Sequence, residues 1–188
     1  MKKKIVLPIF LVDILAITVI LALSITGTQK AQAALLQKYG LTGLDTMAVV
    51  NKLDSSVTEP KELLSSITGE ALILKDGKTT VQLPLPDDKF YLSFAPYENT
   101  VHPCGTHSLA SCRGELMNVP VHATILDDKG VLILDETVQT VANGFVGVWL
   151  PRNINANLQV AYNGKTTSAP ISTFANSDTC LTTPLKLN

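Results

Sequence analysis

Turn dipeptides set the frame of this chain. Asp76-Gly77, Asn143-Gly144 and Asn163-Gly164 each lie between short apolar runs. Asp-Gly and Asn-Gly favour the type I′ turn, whose twist matches that of two antiparallel strands. Ala71–Lys75 and Lys78–Leu83 therefore read as one hairpin, Val138–Val141 and Phe145–Leu150 as another, and Leu158–Tyr162 and Lys165–Ser168 as another. Asp127-Asp128-Lys129-Gly130 makes a further turn between Val121–Leu126 and Val131–Leu134, and Lys89–Ala95 is an aromatic-rich strand. Short strands at regular spacing predict a small antiparallel sandwich or barrel over residues 70–188. Residues 96–117 are the least regular stretch of it.

Residues 34–69 have a helical pattern, which makes the fold class α+β. Ala34–Tyr39 ends at Gly40, a natural helix stop. Thr42 or Asp45 can cap a second helix with apolar Leu44, Met47, Ala48 and Leu53. Thr58-Glu59-Pro60 opens a third, with Leu63, Leu64 and Ile67 as its buried face. Such a thin helical layer needs the β-domain or a second copy of the chain to cover its apolar sides.

Ahead of these lie Lys2, Lys3 and Lys4, then an apolar run from Ile5 to about Ile25 with Pro8 and Asp13 as its main interruptions, then Ala31-Gln32-Ala33. A positive segment, an apolar segment and a small-x-small site make up a secretory signal. Residues 1–33 are thus a signal peptide cleaved after Ala33 or, if uncleaved, a membrane anchor, with Asp13 arguing against a permanent span. Either way the rest of the chain is extracytoplasmic, periplasmic or at the cell surface. That exported part has 11 basic against 15 acidic groups, a net of −4, which is no footprint for nucleic acid or for an anionic membrane surface.

The chemistry-bearing residues cluster. His102, Cys104, His107 and Cys112 lie within eleven residues, and Cys180 is near the C-terminus. Pro103 keeps a helix from running through His102, so the segment is a loop on which imidazoles and thiolates can converge. An iron–sulfur cluster wants four cysteines, and the chain has three. Zinc lacks its usual C-x₂₋₄-C knuckle but fits by composition. Cu(I) accepts two or three soft ligands at irregular spacing, with Met117 available as a weak thioether. Thiol redox chemistry without a metal is a further option, though Cys-x-x-Cys is absent. The plain structural alternative is a Cys104–Cys112 disulfide, an inert buried Cys180 and a surface β-sandwich that serves interaction. Elsewhere, Asp87-Asp88, Asp127-Asp128 and Asp135-Glu136 read as solvated turn residues, His122 as packed or exposed, and Phe145 and Trp149 as core. No Gly-x-Ser-x-Gly elbow, His-Glu-x-x-His or phosphate-binding glycine loop occurs.

Phe94-Ala95-Pro96-Tyr97, His102-Pro103-Cys104 through His107-Ser108-Leu109 to Ser111-Cys112, and Gly114-Glu115-Leu116 resemble the CueP family of bacterial copper-binding proteins. Asn143-Gly144-Phe145-Val146, Trp149-Leu150-Pro151-Arg152, and Ser172–Ala175 through Asp178-Thr179-Cys180 continue the likeness, which runs from about Gly40 to the end. The resemblance implies copper binding outside the cytoplasm, in copper resistance and in supply to a secreted copper enzyme. It implies Cys104, Cys112 and Cys180 as metal-binding thiols with His107 beside them. His102 is kept as a further candidate ligand. Reduction of Cu(II) to Cu(I), with Cys104 and Cys112 as tentative redox thiols, and a homodimer formed by the helical part also follow from it.

If residues 34–69 pair two chains, light scattering on the exported portion shows a dimer; a monomer at high concentration counts against it.

Overall fold

The structure is a computed structural model that describes residues 27–55 and 62–188. The chain forms two compact units, Met1–Thr42 and Gly43–Asn188. In the first, helix α1 spans residues 27–38. It ends as expected at Gly40, with φ 65°, where the Leu41 N–H donates back to the Leu36 carbonyl at 2.8 Å. The apolar run before it lies outside the described residues. Among the described residues no helix is long and apolar enough to cross a membrane.

The second unit opens with α2, Thr46–Asp54, capped by Asp45, whose Oδ1 accepts from the Ala48 N–H at 2.8 Å. Its buried side is Val49, Val50, Leu53 and Asp54, while Leu44 stays exposed. The expected third helix is corrected where it can be seen: Leu63–Ile67 is strand β1, and residues 58–61 lie outside the described residues. Period-two alternation explains why Leu63, Ser65 and Ile67 are buried while Leu64 is exposed. Pairing with β2 (Ala71–Asp76) outweighs the helical spacing of three leucine-type residues.

β3 (Thr79–Pro84) completes the predicted Asp76-Gly77 hairpin. The remaining strands are β4 (Lys89–Phe94), β5 (His107–Ser108), β6 (Pro120–Asp127), β7 (Leu132–Gln139), β8 (Val146–Pro151), β9 (Asn155–Tyr162), β10 (Lys165–Ser172) and β11 (Cys180–Leu181). They form sheets of order β3-β2-β1-β5, β10-β9-β6-β7 and β11-β4-β8. All pairings between strands are antiparallel except β11 with β4, which is parallel.

One predicted hairpin is not a hairpin. Val138 belongs to β7, which pairs with β6, and β8 pairs with β4. The Asn143-Gly144 turn instead carries the chain from one sheet to the next. Gly144 sits at φ 83°, and a Cβ there would lie 2.4 Å from the Gly114 carbonyl oxygen, so the turn accepts only glycine. Asp135 and Glu136 are likewise not turn residues but lie mid-strand in β7.

The inner faces of β4, β6, β8 and β9 make the main core, centred on Phe90, Phe94, Ile125, Leu150 and Leu158. Alternation along β4 turns Tyr91 and Ser93 to the opposite face, toward α2 and the loop of residues 96–117. Trp149 joins them there and is only half-buried, not core; its ring lies tilted against that of Tyr91 at 4.8 Å and its Nε1 reaches Asn51 Oδ1 of α2 at 3.5 Å. Phe145 is fully buried, as expected.

Replacing Phe90 by Ala empties the centre of the core and should cost about 3–5 kcal/mol, whereas Leu132→Ala on the exposed edge strand should stay within about 0.5 kcal/mol. Urea unfolding of the two variants checks the difference.

Candidate metal centre

His107 is placed by backbone bonding before any chemistry enters. Strand β5 adds to the edge of β1, with His107 opposite Ile67. Thr179 locks the same point: its Oγ1 donates to the Ile67 carbonyl at 2.6 Å and accepts the His107 N–H at 3.0 Å. The N–H groups of Thr179 and Cys180 both donate to the Gly105 carbonyl, at 2.9 and 3.1 Å. The C-terminal strand is thereby stitched to the Cys/His loop across more than seventy residues, which brings Cys180 to Cys104.

The sulfurs converge. Cys104 and Cys180 form a disulfide with Cα atoms 5.4 Å apart, and Cys112 is a free, buried thiol. The expected alternative of a Cys104–Cys112 disulfide is corrected by this pairing: backbone bonding to Gly105 delivers Cys180 to Cys104. Cys112 Sγ nevertheless lies 3.5 Å from Cys104 Sγ. One ligand atom from each of His102, Cys104 and Cys112 lies within 4.8 Å of the others, and the same holds for His107, Cys112 and Cys180. The two groups share Cys112. Burial rises across the cluster from exposed His102 through half-buried Cys104 to Cys112, Cys180 and His107 at 5%, 1% and 0% exposure. His102 and Cys104 thus form the outer side of the cluster. Phe145 walls the cluster, its ring 4.9 Å from that of His107.

Asp54 completes the site, and sequence reasoning missed it. Its Oδ1 lies 2.8 Å from His107 Nε2. Asn143 Nδ2 donates to that same oxygen and to the Asp54 carbonyl, each at 3.1 Å, and the Tyr91 hydroxyl donates to Oδ2. An acidic residue in the last turn of a helix, where the dipole disfavours it, was the available signal.

These contacts set the charges. Burial pulls the His107 pKa down, but the Asp54 bond and the neighbouring Cys112 outweigh it and raise the value to about 9. Burial likewise opposes ionisation of Cys112, yet His107 and the Ser108 N–H bring its pKa below the usual thiol value. Burial, then Asp54, holds the Tyr91 phenol well above its ordinary range. Cys112 and His107 thus each favour the charged form of the other.

The donors fit a soft metal. With Nε2 taken by Asp54, His107 Nδ1 is the nitrogen left for the sulfurs, and it is buried with no hydrogen-bond partner. A buried ring nitrogen without a partner is costly unless something binds it. Thiolate and imidazole together suit copper or zinc. Elsewhere, His122 is an exposed strand residue 3.0 Å from Asp135, and Met117 is 53% exposed.

Comparison with known proteins agrees with this donor set. Residues 48–186 match the sequence profile of a family described as periplasmic copper-binding protein CueP. A crystal structure of S.CueP is similar to this chain, with a TM-score of 0.79 and 46% identity, over 83% of this chain and 96% of that one. No curated protein sequence matches.

Glu115 braces the chain segment just before His102. Its carboxylate accepts the N–H groups of Glu98, Asn99 and Thr100 and the Asn99 side chain, chiefly through Asn99, which hold its pKa down at about 2. A depressed carboxylate stabilises the fold above its unfolded value and loses that contribution as pH falls through the folded one. The stability gap between wild type and Glu115→Gln should be complete above about pH 4.5 and close toward pH 2. Urea midpoints across that range check it, and a flat gap would remove the carboxylate from this role.

Proposed function

Because the chain belongs to the CueP family of periplasmic copper-binding proteins, we propose that it does more than bind copper outside the cytoplasm. In this reading it reduces Cu(II) with Cys104 and Cys180 and retains Cu(I) on Cys112 and His107, in copper resistance and in supply of a secreted copper enzyme. The observation that carries the reading is one free buried thiol, Cys112, standing 3.5 Å from a sulfur of the Cys104–Cys180 disulfide.

Electrons balance in this arrangement. Two thiolates form one disulfide and release two electrons, and two Cu(II) ions each accept one. Softness favours the direction, since thiolate binds Cu(I) better than Cu(II). With three thiols reduced, the pocket offers sulfur from Cys104, Cys112 and Cys180 and nitrogen from His107. Once the disulfide closes, Cys112 and His107 are left on the inner side and His102 on the outer. In this reading Cys104 and Cys180, bonded here, are the redox pair, and Cys112 takes the retaining role in place of the redox role given to it above.

The disulfide spans a sequence separation of 76 residues. The chain-entropy relation values such a link at about 4.5 kcal/mol. A protein that opens it in use must hold Cys180 in place by other means. The paired bonds to Gly105 and the Thr179 bridge do so.

Export by residues 1–33 and pairing of two chains through the N-terminal segment belong to the same proposal, supported by the family's periplasmic description and by the sequence pattern. Zinc is the competing metal, since the donors alone suit it.

Adding Cu(II) to the fully reduced protein should yield Cu(I), read by a Cu(I)-specific chromophore, with loss of one thiol pair in a parallel titration. Cys104→Ser should suppress both signals strongly, because Cys104 is the sulfur that both other cysteines reach. Cys112→Ser should leave disulfide formation intact but weaken retention of Cu(I). If Cu(II) binds and stays Cu(II) with all thiols titratable, the reductive role is wrong and storage or carriage is left.

A further inference from the structure

We propose that Asp54 is the positioning residue of the copper site: it holds the Nε2–H of His107, so that Nδ1 is the nitrogen that meets copper, and Tyr91 and Asn143 hold Asp54 in turn. The inference rests on the copper reading above and adds to it the nitrogen used and the group that selects it.

The argument begins with Asp54 itself. It is 4% exposed and sits in the last turn of α2, where the helix dipole repels an anion. A carboxylate is buried there only if its oxygens are fully employed. Oδ1 accepts from His107 Nε2 and Asn143 Nδ2, and Oδ2 accepts from the Tyr91 hydroxyl. Asn143 also binds the Asp54 backbone carbonyl, so the residue is held at both ends.

An ionised carboxylate only accepts, and a neutral imidazole has one N–H. Asp54 therefore demands the proton on Nε2, and the lone pair falls to Nδ1. That atom is fully buried and unpartnered, in the ring whose neighbours are Cys112 and Cys180. Carboxylate, imidazole and metal in a row is the arrangement that fixes ring orientation and raises ligand basicity.

Gly147 shows how tightly the support is built. A Cβ at this position would lie 1.8 Å from the Tyr91 hydroxyl oxygen and 3.0 Å from Asp54 Oδ2. Only a residue without a side chain lets Tyr91 lie across β8 and reach the carboxylate. Anchoring α2 does not by itself explain Asp54, because Thr46 and Asn51 already tie the helix to Pro84 and Trp149.

The test uses the reduced, Cu(I)-loaded full chain with ¹⁵N-labelled histidine rings. In the wild type, His107 should show a protonated Nε2 and a metal-shifted Nδ1. Asp54→Leu removes the acceptor, and Cu(I) affinity, read by competition with a Cu(I) chelator, should fall about 10- to 100-fold. Asp54→Asn keeps a carbonyl acceptor for Nε2–H and should recover most of that loss together with the wild-type nitrogen signature. Gly147→Ala, which displaces Tyr91, should fall between them.

A wild-type spectrum with copper on Nε2 overturns the proposal, and this holds even if Asp54→Leu does not fold. Folded Asp54→Leu with wild-type affinity overturns it too. So does Asp54→Asn as weak as Asp54→Leu, which would make charge rather than orientation the cause. A reduced wild type that binds no Cu(I) removes the copper reading itself, a failure separate from these.

Discussion

The buried contact between Asp54 and His107 joins the end of a helix to a strand added at a sheet edge. Asp54 ends α2, and His107 begins the two-residue strand β5. Neither group tolerates burial alone: a lone carboxylate would be stranded in low dielectric, and a lone imidazole would lack a partner for either nitrogen. Together they are satisfied except at Nδ1. Tyr91, Asn143 and Gly147 are arranged around the pair, so strands β4 and β8 and the sheet-switching turn all serve it.

A second constraint acts through the backbone. The parallel addition of β11 to β4 and its bonds to Gly105 hold Cys180 against the Cys/His loop alongside the disulfide. Exposed His102 and buried His107 stand at opposite ends of the cluster, giving it an outer and an inner side.

The hairpins at Asp76-Gly77 and Asn163-Gly164 and the one around Asp127–Gly130 were legible because turn chemistry is local. The Asn143-Gly144 turn was equally legible as a turn, but not what its flanks pair with, because strand pairing is a long-range choice. Leu63, Leu64 and Ile67 fit a helical stripe, and the neighbouring hairpin β2–β3 overrode it by offering a sheet edge. Trp149 reads as core because it shares a strand face with Phe145, yet it covers Tyr91 at the half-exposed side of the sheet.

The sequence by itself determined the donor chemistry: two thiols and two imidazoles in a loop that cannot be helical, with a third thiol at the far end of the chain. Residue type carries softness and charge, and Pro103 limits backbone shape, so these needed no coordinates. Only the tertiary structure decided that Cys104 bonds Cys180 and leaves Cys112 free, and that an aspartate 53 residues before His107 meets its Nε2. Those outcomes depend on which strand edges and helix ends meet in space. No local pattern encodes that meeting, because the free energy that drives it comes from burial of surfaces contributed by distant segments.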